Sequence, residues 1–376
     1  MIPVSQPDLS SVERKMLMDA FDSGWISSSG DYLARFEAEY AMKCNSSYCL
    51  GVSNGTVALH LALLALNVGP GDEVIVPSMT YIATANAVRY VGATPVFADI
   101  SCSDWGLDLS SVESLFSPRT RAVIVVHLYG HPANLQPLKA LCDAEGVWLI
   151  EDAAEAPFAT RDDWTVGEVG EISTFSFYGN KVITSGEGGA VVTSNEDLYA
   201  RMKVLRGQGM DPSRRYWFSE VGYNYRMTNL SASILCGQLN RLADLLEARR
   251  SVYRWYTDHL RHIPGVELQP RAANVNATPW LYTILLPCES ARESVAESLR
   301  SAGVDTRPTF VPIHSLPPYL KCSTACDMSV TDDIGQRGLS LPTFPALQHG
   351  QVEYICNSIE SALLSWRTEG LVSVEA

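Results

Sequence analysis

The sequence predicts an α/β fold built on a mostly parallel sheet, followed by a smaller α+β domain. Between residues 53 and 193, short apolar runs alternate with segments of helical periodicity. This alternation favours right-handed crossovers that cover both faces of a parallel sheet. The chain, at 376 residues, is also longer than one hydrophobic core usually serves. We therefore predict a large domain over residues 1–245 and a small C-terminal domain over residues 246–376.

The order of the elements supports this division. The predicted strands of the large domain are DEVIVP, TPVFADI, RAVIVVHLYG, VWLIEDAA, STFSFYG and GAVVTS. Helical segments lie between them: SNGTVALHLALLAL, TANAVRYVG, LDLSSVESLF and ANLQPLKALCDAEG. Residues 229–260 have long helical periodicity, which predicts a helix connecting the two domains. Beyond residue 262, the strand candidate WLYTILLP, the helix candidate ARESVAESLRSAG and a Pro-rich loop make an α+β pattern.

The charge balance argues against nucleic acid or a membrane surface as a partner. Lys and Arg number 28 against 42 Asp and Glu, giving a formal net charge of −14. Nucleic acids and anionic membranes attract runs of basic residues, and no such run stands out here. The longest apolar stretch, VALHLALLAL, is too short to span a bilayer. Small anionic ligands stay compatible, because backbone amides at a helix start bind phosphate whatever the net charge.

The nine cysteines predict reduced thiols rather than disulfides or a metal site. Their number is odd, and neither a CxxC pair nor a His/Cys cluster with zinc-ligand spacing occurs. Cys322 and Cys326, in CSTAC, lack a second pair nearby. The first residues, MIPVSQPDLSSVERK, show no basic segment followed by an apolar one. We therefore expect a cytoplasmic protein without a bound metal.

Two segments place polar residues where a parallel sheet holds its ligand. SNGT, residues 53–56, precedes an apolar helix; it is either an ordinary cap or a set of free amides for a phosphate. The strand in VWLIEDAAEA ends on Glu151 and Asp152, at the carboxyl edge of the sheet. Asp152 either caps the next helix or keeps a heterocyclic nitrogen protonated, because a fixed negative charge raises the pKa of the group beside it.

Lys181 lies between an apolar run and a glycine-rich turn in FSFYGNKVITSGEGGAVV. A loop lysine is usually only a solvated charge. Here the aromatic residues before it predict partial removal from water, which lowers the pKa of the amine and frees a nucleophile near neutrality. The GEGG that follows is either a plain turn or clearance for a ligand. It is not a dinucleotide fingerprint, because no G-x-G-x-x-G runs from a strand into a helix.

The three features together match the needs of pyridoxal phosphate. This cofactor takes a lysine as a Schiff base, a carboxylate on its pyridine nitrogen, and a helix N-terminus for its phosphate. Lys181, Asp152 and the SNGT helix start supply one of each on the same predicted sheet. The combination is far more specific than any one of its members.

Longer segments carry a resemblance along nearly the whole chain. They are SGWISSSGDYLARFE, VSNGTVALHLALLAL, GDEVIVPSMTYIATANAV, VHLYGHP, EDAAEA, FSFYGNKVITSGEGGAVVTS, GYNYRMTNL, RPTFVPIHSLPPY and LSLPTFP. In order and spacing they resemble the DegT/DnrJ/EryC1/StrS family of sugar aminotransferases. The resemblance implies the aspartate-aminotransferase-like fold, called fold type I, with pyridoxal phosphate as cofactor.

The same resemblance assigns residues to the cofactor. It implies that Lys181 forms the Schiff base and that Asp152 pairs with the pyridine nitrogen. It places Tyr81 on the face of the ring and Glu155 near the ring hydroxyl. The residues implied for the phosphate are Gly55, Thr56 and Ser176.

Three further residues follow from the resemblance. Asn224, in GYNYRM, matches an asparagine that reaches the phosphate of the neighbouring subunit, which implies a homodimer with shared active sites. Arg307 and His314, in the Pro-rich loop, are expected to face a sugar nucleotide or to be structural. The chain looks most like family members that move an amino group from L-glutamate to a GDP-linked 4-keto-6-deoxy sugar.

Several alternatives stay open at the level of the sequence. A dTDP- or UDP-linked ketosugar is possible, because PFATRDDWTVGEVG departs from the family pattern at Pro157, Asp162 and Asp163. A related dehydratase branch has histidine in place of the lysine, whereas this chain keeps Lys181. A scaffold would need neither Lys181 nor Asp152. A nicotinamide-dependent oxidoreductase would need the missing glycine fingerprint.

Overall fold

A seven-stranded sheet organises the computed structural model, which describes residues 1–372. Its strand order is β1-β9-β8-β5-β4-β2-β3, and β9 is antiparallel to both of its neighbours while the other pairings are parallel. The strands are β1 (Tyr48–Val52), β2 (Glu73–Pro77), β3 (Thr94–Ala98), β4 (Thr120–Val126), β5 (Trp148–Asp152), β8 (Ile172–Ser176) and β9 (Gly189–Thr193). The predicted α/β fold with a mostly parallel sheet is therefore confirmed.

The sheet is buried on both faces. Along β2, Ile75 packs in one core cluster, whereas its neighbour Val74 packs in the other. In β4, Val123 and Ile124 divide between the two clusters in the same way. Successive side chains of a strand point to opposite faces, so both faces must be covered by apolar residues. This requirement explains the continuous runs of valine and isoleucine in the sequence.

Helices cover these faces and extend to the end of the described chain. They are α1 (Ser11–Asp22), α2 (Asp31–Lys43), α3 (Gly55–Ala65), α4 (Ala83–Tyr90), α5 (Leu109–Ser114), α6 (Leu135–Glu145), α7 (Glu196–Arg206), α8 (Asn229–Asn240), α9 (Leu242–Leu260), α10 (Glu289–Ser301), α11 (Ser329–Arg337) and α12 (His349–Val372). No helix within residues 1–372 is long and apolar enough to cross a membrane.

Two smaller sheets complete the fold. Their strands are β6 (Thr160–Arg161), β7 (Trp164–Thr165), β10 (Glu267–Leu268), β11 (Val275–Asn276), β12 (Tyr282–Leu285), β13 (Arg307–Pro308) and β14 (Gly338–Leu341). The four-stranded sheet has the order β10-β12-β14-β13, and the three-stranded sheet has the order β11-β6-β7. Because β11 pairs with β6, a late segment of the chain is joined to a hairpin that follows β5.

Helix α9 passes from one hydrophobic core to another. Its first buried residues, including Leu242 and Leu246, belong to a core cluster of the large sheet. Those from Val252 onward pack with the four-stranded sheet. The change of core lies between Leu246 and Val252. A domain boundary near residue 245 stays a prediction.

The helix predicted over residues 229–260 is wrong in one respect, because it breaks at Arg241. The backbone of Arg241 has φ −103° and ψ 8°, which separates α8 from α9. Its guanidinium bonds Glu13 at 2.9 Å and also contacts Asp8. These partners lie in the N-terminal segment, so the local periodicity of residues 229–260 carries no sign of the break.

Candidate active site

Lys181 lies in the loop between β8 and β9, at the carboxyl edge of the large sheet, where its parallel strands end. Its backbone N–H donates to the carbonyl of Tyr178 at 2.9 Å, and its own carbonyl accepts from Arg249 Nη2 at 3.4 Å. Part of the side chain is accessible, although the amine lies among protein atoms. Removal from water lowers the pKa of the Lys181 amine, and the negative charges of Glu155 and Asp152 oppose this shift. Burial prevails, so the neutral, nucleophilic fraction of the Lys181 amine is larger than that of a solvated lysine.

Asp152 is the last residue of β5 and lies at the same carboxyl edge of the sheet. Burial raises the pKa of its carboxyl group, against the opposing effect of hydrogen bonds from Thr84 and Ala154. Thr84 Oγ1 donates to Asp152 Oδ2 at 2.7 Å, and the N–H of Ala154 donates to Oδ1 at 3.2 Å. The positive charge of Lys181 also lowers this pKa, which places the amine within electrostatic reach. A buried carboxyl group of this kind is stabilised in its ionised form by a neighbouring cation.

The adjacent carboxylate, Glu151, has a different role because successive residues of a strand face opposite sides. Its side chain is fully buried and accepts from His127 Nε2 at 3.0 Å. It also accepts from the backbone N–H groups of Gly167, Val169 and Gly170 at 2.7–3.0 Å. Burial alone would raise the pKa of Glu151, but these donors hold it below its usual value. Glu151 therefore anchors the loop that follows the β6–β7 hairpin.

Glu155 completes a group of three ionisable side chains. Its Oε2 accepts from the backbone N–H of Tyr129 at 2.7 Å. Burial raises the pKa of the Glu155 carboxyl to about 7, with the charge of Lys181 acting in the opposite direction. The same burial lowers the pKa of the Lys181 amine, so the pKa values of this acid and this amine shift towards each other.

The start of α3 forms a cradle of backbone donors beside β8. Asn54 Oδ1 caps the helix by accepting from the N–H of Val57 at 3.0 Å. The amides of Gly55 and Thr56 have no protein acceptor within the described residues, as expected for the first turn of a helix. A Cβ added to Gly55 would lie 2.8 Å from Ser176 Cβ and 3.2 Å from Ser176 Oγ. Glycine thus lets the Ser176 hydroxyl approach the helix start.

Four aromatic side chains form a series of contacts that ends at the amine, and the sequence predicts a site role only for Tyr81. Tyr129 stacks between Phe310, at 5.5 Å and 8°, and Trp280, at 6.0 Å and 17°. Tyr81 lies 6.0 Å from Phe310 and is 60% exposed. Lys181 Nζ lies 3.9 Å from the centroid of Trp280. Tyr129 lay in the quoted VHLYGHP segment, but nothing local marks Trp280, which is 99 residues from the lysine in sequence.

The remaining predicted residues lie at different distances from this edge. His314 Nδ1 is 2.8 Å from Ser78 Oγ, directly after β2, and His314 Nε2 is 3.4 Å from Asp332. The Pro-rich loop is therefore attached to the carboxyl edge of the sheet. Arg307 instead turns to the surface and pairs with Asp305 at 2.9 Å. Asn224 is exposed, and its backbone pairs with Gly207.

The segment that departs from the family pattern forms the β6–β7 hairpin. Asp162, with φ 52°, and Asp163 occupy its exposed turn. The N–H of Asp162 donates to the carbonyl of Asn274 at 2.9 Å, beside β11. The carbonyl of Pro157 accepts from Thr278 Oγ1 at 2.6 Å. The hairpin is thus held to residues just before Trp280.

Known proteins share this arrangement over most of the chain. The profile of the DegT/DnrJ/EryC1/StrS aminotransferase family matches residues 7–360. The chain belongs to this family. It is 42% identical to the GDP-perosamine synthase of Caulobacter vibrioides, over 96% of this chain and 98% of that protein. It is also 42% identical to the GDP-perosamine synthase of Escherichia coli O157:H7, over 95% of this chain and 97% of that protein.

A solved structure agrees with these relatives. The crystal structure of DesV from S. venezuelae, in complex with a ketimine intermediate, has a TM-score of 0.88 and 33% sequence identity. It covers 96% of this chain and 98% of DesV. The fold is therefore the fold type I architecture of sugar aminotransferases, as the resemblance implied. The chain is a pyridoxal phosphate-dependent aminotransferase of the DegT/DnrJ/EryC1/StrS family.

The residues of this aminotransferase fit the cofactor of its family. A phosphate requires donors without competing side chains, and the start of α3 presents free amides beside the Ser176 hydroxyl. A Cβ added to Gly189 would lie 2.5 Å from the carbonyl carbon of Asn54, so β9 also approaches the cradle closely. A pyridine nitrogen requires an anion, and Asp152 is a buried carboxylate. An aldehyde requires an amine, and Lys181 follows Ser176 by five residues and lies within electrostatic reach of Asp152.

Proposed function

We propose that this aminotransferase moves the amino group of L-glutamate to GDP-4-keto-6-deoxy-mannose, which yields GDP-perosamine. The two synthases named above, each 42% identical over nearly their whole length, support the GDP-linked sugar. A third GDP-perosamine synthase, from Vibrio cholerae, is 41% identical over 96% of this chain. The products would be 2-oxoglutarate and a GDP-linked 4-amino-4,6-dideoxy sugar.

The observation that carries the proposal is the clustering of one amine with two buried carboxyl groups. Lys181 affects the protonation of Asp152 and of Glu155, and both carboxyls affect Lys181. A scaffold protein would gain nothing from this arrangement, because burying ionisable groups costs free energy. Perturbed pKa values of this kind are typical of catalytic sites.

Lys181 would attach the cofactor and then act as the proton carrier. Once the incoming amino acid has released its amine, Lys181 would remove a proton from the substrate carbon and deliver it elsewhere. The lowered pKa keeps a neutral fraction available for this step. Glu155, whose pKa burial raises to about 7, would serve as a second proton-carrying group near the amine. The bound cofactor would supply the electron sink that makes the substrate proton acidic.

Asp152 would hold the ring and keep its nitrogen charged. The Thr84 hydroxyl and the Ala154 N–H fix the carboxylate oxygens in place. The protonated nitrogen would in turn favour the ionised carboxylate, opposing the effect of burial. Gly55, Thr56 and Ser176 would bind the phosphate, and the exposed ring of Tyr81 would cover one face of the cofactor.

The partner in catalysis would be a second copy of this chain. Asn224 is exposed, and its backbone pairs with Gly207. Its match to the family asparagine that reaches the phosphate of the neighbouring subunit is what supports a shared site. We propose a homodimer in which Asn224 completes the phosphate site of the neighbouring protomer. His314, held at the sheet edge by Ser78, would face the sugar nucleotide. Arg307 would bind the sugar nucleotide only after its ion pair with Asp305 has broken.

Two experiments test the function. Borohydride reduction of the cofactor-saturated protein, followed by peptide mapping, should place a pyridoxyl group on Lys181. A pyridoxyl group on another lysine, or none, would refute the central assignment. A panel of GDP-, dTDP- and UDP-linked 4-ketosugars with L-glutamate should then give the highest kcat/KM with the GDP sugar. Equal values for the three nucleotides would remove the GDP assignment, and release of ammonia without amino transfer would indicate dehydration instead.

A further inference from the structure

The amine of Lys181 has an aromatic neighbour as well as its carboxyl neighbours. Its Nζ atom lies 3.9 Å from the centroid of the Trp280 ring. A cation over the face of an indole is attracted by the electron density of the ring, and 3.9 Å is well inside the range of this interaction. Trp280 is also bound to the lysine loop, because its Nε1–H donates to the carbonyl of Asn180 at 2.9 Å. One side chain thus contacts both the amine and the backbone next to it.

The indole is rigidly held. Its ring is 4% exposed and stacks on Tyr129 with an interplanar angle of 17°. Its carbonyl accepts from Arg249 Nη1 at 3.2 Å, and Arg249 Nη2 lies 3.4 Å from the carbonyl of Lys181. The same guanidinium therefore connects the backbones of Trp280 and Lys181. A ring fixed in this way can set the position of a flexible lysine side chain.

From this geometry we propose that Trp280 is a catalytic residue whose indole face holds the free Lys181 ammonium at the active site. This inference rests on the proposed role of Lys181. In turnover, the amine is released from the cofactor and must stay close until it is needed again. An aromatic face attracts the charged amine without donating or accepting a proton. The neutral amine is attracted far less, so it leaves the indole readily when it becomes the nucleophile.

The indole acts among several charged groups. Glu155 and Asp152 attract the ammonium, and the Arg249 guanidinium, on α9, repels it. The Tyr129 phenol stays protonated, because burial raises its pKa, and it adds no charge. Replacing only the indole leaves all of these groups in place. The Leu and Phe variants both lose the hydrogen bond to Asn180, so a change in the protonation of Lys181 that only the Leu variant shows reports the aromatic face.

The experiment is competitive labelling of lysines with acetic anhydride between pH 7 and 11, using the full-length chain without cofactor. Peptide mapping gives the pKa of Lys181, and the exposed Lys43 serves as an internal standard. Trp280→Leu should lower the pKa of Lys181 by about half a unit to one unit, because the charged form loses a favourable contact. Trp280→Phe keeps an aromatic face and should restore most of the wild-type value. Trp280→Met provides a second apolar variant if the leucine variant folds poorly.

The outcomes separate this inference from the proposed function. Equal Lys181 pKa values in the wild type, the Phe variant and a folded Leu or Met variant would overturn the role of Trp280. A uniform shift in all lysines, including Lys43, would indicate a structural effect and would overturn it as well. Neither result affects the borohydride test, which asks only whether Lys181 carries the cofactor. If borohydride maps elsewhere while the pKa still shifts, the aromatic contact stands and its catalytic role fails.

Discussion

Thr84 donates a 2.7 Å hydrogen bond from its hydroxyl to Asp152 Oδ2 in the interior of the protein. Thr84 lies in the first turn of α4, and Asp152 is the last residue of β5. The bond therefore connects α4, the helix that follows β2, to the carboxyl end of β5 in the same sheet. It also favours the ionised carboxylate, against the effect of burial on its pKa.

Replacement of Thr84 by valine keeps the shape of the side chain and removes this donor. We expect the pKa of Asp152 to rise, so the acidic limb of the kcat/KM profile should move to higher pH. The loss in kcat/KM should be about tenfold, since a hydrogen bond to a charged group contributes on the order of 1.5 kcal/mol. Thr174→Val is the matched control, because Thr174 Oγ1 bonds the carbonyl of Glu151 instead. An unchanged acidic limb in Thr84→Val would contradict the prediction.

Glu155 should make stability depend on pH. Its pKa is raised to about 7, above the 4.5 of an unperturbed carboxyl. Its contribution to stability is therefore complete below pH 4.5 and is lost as the pH rises through 7, because the folded state retains a proton that the unfolded state has released. The free energy of unfolding of the cofactor-free protein should fall by at most about 3 kcal/mol over this interval.

Glu155→Gln should flatten that dependence. Glutamine is isosteric, and its carbonyl oxygen can still accept from the N–H of Tyr129. Urea unfolding at pH 5 and pH 8 measures the difference for the wild type and the variant. Glu168→Gln, which changes an exposed carboxyl, should behave as the wild type. A Glu155→Gln variant with the same slope as the wild type would show that another group titrates here.

The Ser176 hydroxyl should act on the phosphate and on no other part of the cofactor. Ser176→Ala is expected to raise the Kd of pyridoxal phosphate about tenfold, the effect of one hydrogen bond to an anion. The Kd of pyridoxal, which lacks the phosphate, should stay the same. Absorbance titration measures both constants. Ser185→Ala, whose hydroxyl bonds the carbonyl of Glu187, is the control. Equal weakening of the two ligands would place Ser176 away from the phosphate.

Shared active sites can be tested with two variants, assayed at a cofactor concentration too low to saturate Asn224→Ala. Asn224→Ala should weaken retention of the cofactor, and Lys181→Ala should abolish amino transfer. In a hybrid dimer, one site regains both native residues. Random exchange of equal amounts should therefore restore about a quarter of wild-type activity, because half of the dimers are hybrids with one intact site. Verified hybrids without activity would show that Asn224 serves its own protomer.

The parallel sheet was predictable because its strands are buried on both faces and appear as uninterrupted apolar runs. The predicted strand DEVIVP, for example, corresponds to β2, all of whose residues are buried. Helices α1 and α2 are not among the predicted elements; they pack on α8, which lies far along the chain. The break at Arg241 has no local signal either, and the partners of its side chain, Glu13 and Asp8, are also distant in sequence.

Prediction of the active site from the sequence is limited in the same way, by contacts between distant segments. Lys181, Asp152 and the start of α3 have local signals: an apolar strand before a polar end, or a small polar cap before an apolar helix. Trp280 has none, because only the folding of the later segment brings its ring to Lys181. His127 likewise looks like a strand residue until its Nε2 meets Glu151. Contacts between distant segments thus escape any analysis of local pattern.

The Arg249 side chain cross-links three segments of the chain through hydrogen bonds to their backbone carbonyls. Its guanidinium is fully buried, has no carboxylate partner among the residues that the structure describes, and donates to the carbonyls of Lys181, Pro279, Trp280 and Thr343. These carbonyls belong to three separate parts of the chain. Separating any one of them from Arg249 would remove a hydrogen-bond acceptor from a buried cation, which costs free energy. The loop that carries Lys181, the segments next to the four-stranded sheet and α9 should consequently resist separation and unfold together as one cooperative unit.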